Sequence, residues 1–356
     1  MFEFLNSNKK WKRTSILMFY KAYRKMRQSG LFAPGVITFT LQKLLIRLNL
    51  NQDLSFLFVA IGIGWATGMI AVIFHDAIGR VNLLFFGGLE KGVEWLGYSD
   101  YGNIFIPILP AVGGLIVGLY DTYVVKVKPG HGLASVIKAV VQNDGKLPKW
   151  LWLHRTFTSV ISIGSGGAGG REAPIAQVGA VFGSMVGQVL RFSPDRIRTL
   201  LGCGTAAGLA AVFNAPIGGV MFAIEVILGD FSVRTFSPIV VAAVIGTVVS
   251  RSYLGNSPTF HVPDYTLISN VELVFYFLLG VLAGLTAVGF IKIFYWIEGR
   301  FEKIRDKEVM PIWMIPAIGG LLTGIIGIFF PGVFGYSYET IDNAVVGNEN
   351  WFNMIG

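Results

Sequence analysis

The sequence predicts an all-α, polytopic membrane protein built on an inverted repeat, with broken and re-entrant helices and an incomplete second repeat. Two observations carry this: long uncharged runs, and an ordered internal echo. Hydrophobic residues make up 53% of the 356 and charged residues 14%, where a soluble chain carries roughly 25% charged residues. Mean hydropathy is +0.61. Leu54–Phe74 has no charge, and as a helix at ~1.5 Å per residue it reaches about 31 Å, close to the ~30 Å hydrocarbon core. Further uncharged runs cover Tyr101–Tyr120, Thr156–Gly170, Ala173–Leu190, Thr199–Ile224, Thr235–Ser250, Leu273–Ile291 and Met310–Tyr338. Backbone in hydrocarbon must satisfy its own hydrogen bonds, so these runs are predicted to be helical.

Ahead of the first span, ten Lys/Arg stand against the single acid Glu3 in the first fifty residues. No short apolar segment with a small-residue cleavage site follows, so the block does not read as a secretory signal. The excess of positive charge places it in the cytoplasm, in preference to a nucleic-acid arm. Residues 31–48 are expected to lie along the inner leaflet as an interfacial helix. Cys203 is the sole cysteine, which excludes an internal disulfide. The loop over 75–100 holds Asp76, Glu90, Glu94 and Asp100 against Arg80 and Lys91 and reads as outside. The loop over 121–155 holds six bases against Asp121 and Asp144 and reads as inside.

The echo supplies the repeat. Pro110-Ala-Val-Gly-Gly-Leu-Ile-Val-Gly118 returns as Pro316-Ala-Ile-Gly-Gly-Leu-Leu-Thr-Gly324. One span earlier, Gly64, Gly68, Ala71, Val72 and Phe74 return as Gly280, Gly284, Ala287, Val288 and Phe290; one loop later, Pro129-Gly130 returns as Pro331-Gly332. Loop charge sends the first span outward and its echo inward. Inverted repeats of this kind place a binding site near the midplane, where broken helices meet. The organisation expected is a basic N-terminal segment over 1–53, a first repeat over 54–251, a connecting loop over 252–272 and the start of the second repeat over 273–356. The echo of Gly-Arg-Glu-Ala-Pro would fall beyond Gly356. The chain is therefore read as a fragment, or its site as built from one half, and alone it is not expected to conduct.

Chemistry concentrates in Gly164-Ser-Gly-Gly-Ala-Gly-Gly-Arg-Glu-Ala-Pro174. Arg171 and Glu172 are adjacent charges between two uncharged runs, and charge at membrane depth usually serves a site. Pro174 fits the first position of a new helix. The amides around Arg171–Ala173 would then form an anion site at the positive helix end. Ionised Glu172 would compete with an anion for those amides; protonated, it would swing away. It is therefore read as a gate, with a loop-holding Arg171–Glu172 ion pair as the plainer alternative. Lys128-Pro-Gly-His-Gly-Leu-Ala134 offers a second helix start, where His131 is either an anion donor or an ordinary loop histidine. Asn214 is expected to cap a helix begun by Pro216, and Glu225 to be structural, paired with Arg234 or a neighbouring helix.

Taken together, these three segments resemble the CLC family of chloride channels and proton-coupled exchangers over about 54–356. Gly-Arg-Glu-Ala-Pro resembles its G-K/R-E-G-P signature, Pro-Gly-His-Gly-Leu-Ala its G-S-G-I-P loop, and Phe213-Asn-Ala-Pro with Ile224-Glu-Val226 its next helix. The resemblance implies chloride or a similar small anion as substrate, no cofactor, and a homodimer in the plasma membrane with one pathway per subunit. It implies that Glu172 is the external gate, that Gly170, Arg171, Glu172 and Ala173 form the outer anion site, and that Gly130 and His131 line the inner and central sites. The departures are His131 for serine, Ala134 for the loop-closing proline and Ala173 for the glycine after the gate. Val226 stands where proton-coupled members often carry an internal glutamate. This favours channel-like or weakly coupled conduction, with a Cl-/H+ exchanger as the alternative. An intramembrane enzyme is disfavoured, because His75, His131, His154 and His261 form no spaced cluster with Cys203 or an acid. A cation carrier would need acids or carbonyls where these helix starts present N–H groups.

Overall fold

A computed structural model describes residues 52–88, 106–125, 132–256, 269–307, 310–335 and 338–347. The expected interfacial helix over 31–48, and Gly130 and His131, lie outside these residues. The described residues form eleven α-helices: α1 Gln52–Asn82, α2 Ile108–Tyr120, α3 Gly132–Gln142, α4 Leu151–Gly164, α5 Glu172–Val189, α6 Pro194–Phe213, α7 Pro216–Phe222, α8 Val233–Leu254, α9 Glu272–Asp306, α10 Met314–Phe329 and α11 Tyr338–Val346. Single π-helical turns extend α1, α2 and α7. No strand occurs among the described residues. Among the described residues, four helices are long and apolar enough to cross a membrane: Asp53–Gly87, Ile108–Val125, Val233–Leu254 and Glu272–Arg305.

The shorter elements are the broken ones. Helix α4 has 14 residues and α5 has 18, about 21 and 27 Å at ~1.5 Å per residue, against a core of ~30 Å. Neither is long enough to span that core alone. Proline opens α6 and α7 at their first positions, where its missing N–H leaves no acceptor unpaired.

Helix α6 is the hub, with residues 199–211 buried without interruption. Its face is almost all Gly, Ala, Thr and Leu because its neighbours press on its backbone. A Cβ on Gly204 would strike the Gly179 carbonyl of α5, and one on Gly179 would strike the Gly204 carbonyl. Small residues permit such crossings, which gain dispersion contacts where lipid provides no hydrophobic drive. Ile63 of α1, Leu200 of α6, Ile224 beyond α7 and Ile239 of α8 close one core around this hub.

The repeat is visible in how α2 and α10 meet. A Cβ on Gly114 would collide with the Pro316 carbonyl, and one on Gly320 with the Pro110 carbonyl; Gly118 faces Trp313 and Gly324 faces Pro107 in the same way. Exchanging the two echoed segments maps this contact set onto itself. Positions run in opposite directions along the two helices, so the copies pack antiparallel about a two-fold relation. That is the inverted repeat. The other echoed pair diverges: Gly64 and Gly68 of α1 press on Ala242 and Gly246 of α8, whereas Gly280 and Gly284 of α9 meet nothing within 4 Å among the described residues. Helix α9 keeps its apolar face outward.

Candidate anion site

The site begins where α4 ends. Its last turn unwinds through bonds from Ser165, Gly166 and Gly167 N–H to the carbonyls of Ile161, Ile163 and Ser162. Gly166 takes φ +95°, a conformation that costs other residues dearly. Gly169 N–H then donates to Gly335 O at 3.3 Å, tying the loop to the segment that follows the second Pro-Gly. Glu172 opens α5, and Ile175 N–H donates to Arg171 O at 3.2 Å. Pro174 is therefore the third helical residue and not the first. Any of the first three helical positions accepts it, since their N–H groups have no partner inside the helix. What remains for an anion is narrower than the sequence suggests: the amides of Glu172 and Ala173 at the positive helix end, with no contribution from residue 174.

Arg171 and Glu172 part company. Arg171 is 9% exposed; its Nη1 donates to Nδ1 of His75 at 2.7 Å, and its guanidinium lies 4.9 Å from the centre of the Tyr338 ring. The Glu172 carboxylate folds back over Gly170, where a Cβ would collide with Oε2. Its Oε1 is buried without a hydrogen-bond partner. No ion pair joins Arg171 to Glu172 among the described residues, so the loop-holding pair is not the arrangement present. Gly170 and Ala173 are exposed and Glu172 is half-buried, as a mouth requires.

A second set of contacts approaches from α3. Gly132 starts that helix with φ +45°. Gln177, 3% exposed on α5, donates to Ser135 Oγ at 3.1 Å, and Ser135 donates to Gly132 O at 2.7 Å. This chain links the Glu172 helix to the residue next to His131. Sequence reading missed Gln177 and Ser135, although Gln177 is the most buried amide side chain in an uncharged run that starts at the gate. It missed His75 and Tyr338 as well.

Other expectations need correction. Asn214 does not cap α7; it ends α6 in the left-handed conformation (φ 56°, ψ 32°), and its Oδ1 accepts from Arg251 Nε at 2.6 Å. Asn tolerates that conformation better than most residues, which is why one position reads either way. Glu225 lies exposed in the π-helical turn Ala223–Leu228 and forms no ion pair with Arg234 among the described residues. Val226, beside it, is 46% exposed. His154 bonds Tyr120 at 2.7 Å, away from the candidate site. No group of three metal-binding side chains occurs among the described residues.

With this geometry in place, the likeness to known proteins becomes specific. The model of the voltage-gated chloride channel family matches residues 112–356. The chain belongs to this CLC family. It is 32% identical over 261 residues to the ClcB-like chloride channel protein of Ralstonia nicotianae, covering 70% of this chain and 60% of that one. It is 28% identical over 313 residues to the H(+)/Cl(-) exchange transporter ClcA of Salmonella typhimurium, covering 85% and 65%. Among solved structures, a slow cyanobacterial Cl-/H+ antiporter superposes with a TM-score of 0.71 at 21% identity, over 86% of this chain and 71% of that one. A CLC-type fluoride/proton antiporter gives 0.66 at 21% identity, over 83% and 71%. The fold is thus that of CLC proteins, which are channels and transporters and not enzymes. The chain spans about 60% to 65% of the length of these two relatives.

Proposed function

We propose that this protein moves chloride or a similar small anion across the membrane, with Glu172 as the gate. The observation that carries the reading is the Glu172 carboxylate at the start of α5. It folds over Gly170 with one oxygen buried and unbonded, where the helix end attracts negative charge. Gly170, Arg171, Glu172 and Ala173 frame the outer site in this reading, and Gly130 and His131 supply the inner one. No cofactor takes part. The protein works as a homodimer in the plasma membrane, with residues 1–50 on the cytoplasmic side.

Transport is channel-like or weakly proton-coupled, because Val226 offers no carboxyl to relay an internal proton. The exchanger remains the second reading, favoured by the antiporters among the solved structures of this fold. The test is the intact protein reconstituted in liposomes or a planar bilayer. Chloride flux is expected, with a reversal potential that follows the chloride gradient and shifts little with a pH gradient. Proton uptake driven by a chloride gradient would establish the exchanger instead. Absence of any halide flux would overturn the reading.

A further inference from the structure

Helix α5 presents one stripe, polar at both ends and apolar between, to α3 and to the loop that follows it. Gln177, Val181, Ser184 and Gln188 recur at the spacing that stacks side chains on one helix face. In the middle, Ala180 and Val181 share a buried core with Val136, Ala139 and Val140 of α3. Beyond the end of α3, Ser184 Oγ accepts from Leu147 N–H at 3.1 Å and donates to the Gly145 carbonyl at 2.6 Å. Gln188 Nε2 donates to the Leu147 carbonyl at 2.8 Å. At the start of α3 the tether is Gln177 Nε2 to Ser135 Oγ at 3.1 Å, and Ser135 donates onward to the Gly132 carbonyl at 2.7 Å.

The direction of these bonds matters. A hydroxyl has one proton, and Ser135 gives it to Gly132, so its lone pair is left to accept from Gln177. The Gly132 carbonyl and the Leu133 N–H belong to one planar peptide and point in opposite directions. Holding the carbonyl back along α3 therefore aims the Leu133 N–H out of the helix start. There the first-turn amides have no partner inside the helix and the dipole is positive. Gly132 stands at φ +45°, which glycine enters without strain and leaves as readily, so this peptide needs a hold from outside. We infer that Gln177 is a positioning residue for the inner anion, fixing the first turn of α3 through Ser135 to the helix that carries Glu172. Buried at 3% exposure, its amide ties the two ends of the pathway into one unit.

This inference rests on the proposed anion pathway, and its test is run with the gate removed. Chloride flux through the intact protein carrying Glu172→Gln is recorded in liposomes over a range of chloride concentrations. The readings are the half-saturating concentration and the maximal rate. Adding Gln177→Met, which keeps the length and loses the donor, is expected to raise half-saturating chloride about three- to tenfold, the size of one net hydrogen bond. The maximal rate should change little. Ser135→Ala should do the same, and the two together no more than either alone. Ser135→Thr, which keeps the hydroxyl, should retain the tight value. Gln188→Leu cuts the tether beyond the far end of α3, and should lower the melting temperature without moving half-saturating chloride. Ser135 is only half-buried, so its variants carry the test should Gln177→Met fold poorly. Effects of Gln177→Met and Ser135→Ala that add, or an equal shift from Gln188→Leu, would overturn the role of Gln177. Chloride flux of unchanged affinity in every variant would overturn this inference alone. A protein that passes no halide would overturn the pathway with it.

Discussion

Glutamine at position 172 is expected to remove the main pH dependence of chloride flux and to raise flux at pH 7.5 by about tenfold or more. The carboxylate is tethered at the helix start it blocks, so its effective concentration there is far above that of external chloride at millimolar levels. Only its charge lets it compete for the Glu172 and Ala173 amides, and glutamine keeps the shape without the charge. The resting position is also poorly satisfied. Oε1 is buried with no hydrogen-bond partner, a situation that costs about 1–3 kcal/mol for a polar atom and more for a charged one. A carboxylate held this way leaves readily once protonated or displaced by an anion. Flux recorded between pH 8 and pH 4.5 for the two proteins checks this. An unchanged profile would refute the gate.

Alanine at position 170 should open the same gate from the other side. The Cβ of an alanine would overlap Glu172 Oε2 and come within 3.2 Å of its carboxyl carbon. Gly170 has no left-handed φ, so the backbone accepts alanine and the collision is left to the carboxylate. Gly170→Ala is therefore expected to raise flux at pH 7.5 by several-fold or more, towards the level of Glu172→Gln. In the Glu172→Gln background the same change should add little, because the gate it displaces is already open. A double-mutant cycle reads this coupling directly. Independent, additive effects would mean that Gly170 acts through loop shape and not through the carboxylate.

Much of the fold was legible because backbone contacts leave a periodic mark. The glycines at 114, 118, 320 and 324 are required where α2 and α10 touch main chain to main chain, and the echo in sequence is that requirement written twice. The uncharged runs gave the spans for a similar reason, since lipid penalises every charge. The start of α5 was legible to within two residues from Pro174, but proline, though commonest at the first position, is also tolerated at the next two, whose N–H groups lack partners. Asn214 failed in the same way: its side chain suits a helix start, and its backbone tolerance suits a helix end. Partnership across the chain left no local signal. Nothing near His75 marks it as the partner of Arg171, and the link from Gln177 to Ser135 is set by how α5 and α3 pack. The absence of an Arg171–Glu172 pair was likewise decided by distant residues, which offered Arg171 an aromatic face and an acceptor.

The most direct test is where a halide sits. Crystals of the intact protein and of Glu172→Gln, soaked in bromide at neutral pH, would be compared by anomalous scattering. The expected result is a bromide at the Glu172 and Ala173 amides of the glutamine variant, and none there while the native carboxylate is in place. Bromide bound at those amides beside an unmoved Glu172 side chain would contradict the claim, as would a glutamine variant with no halide near the start of α5.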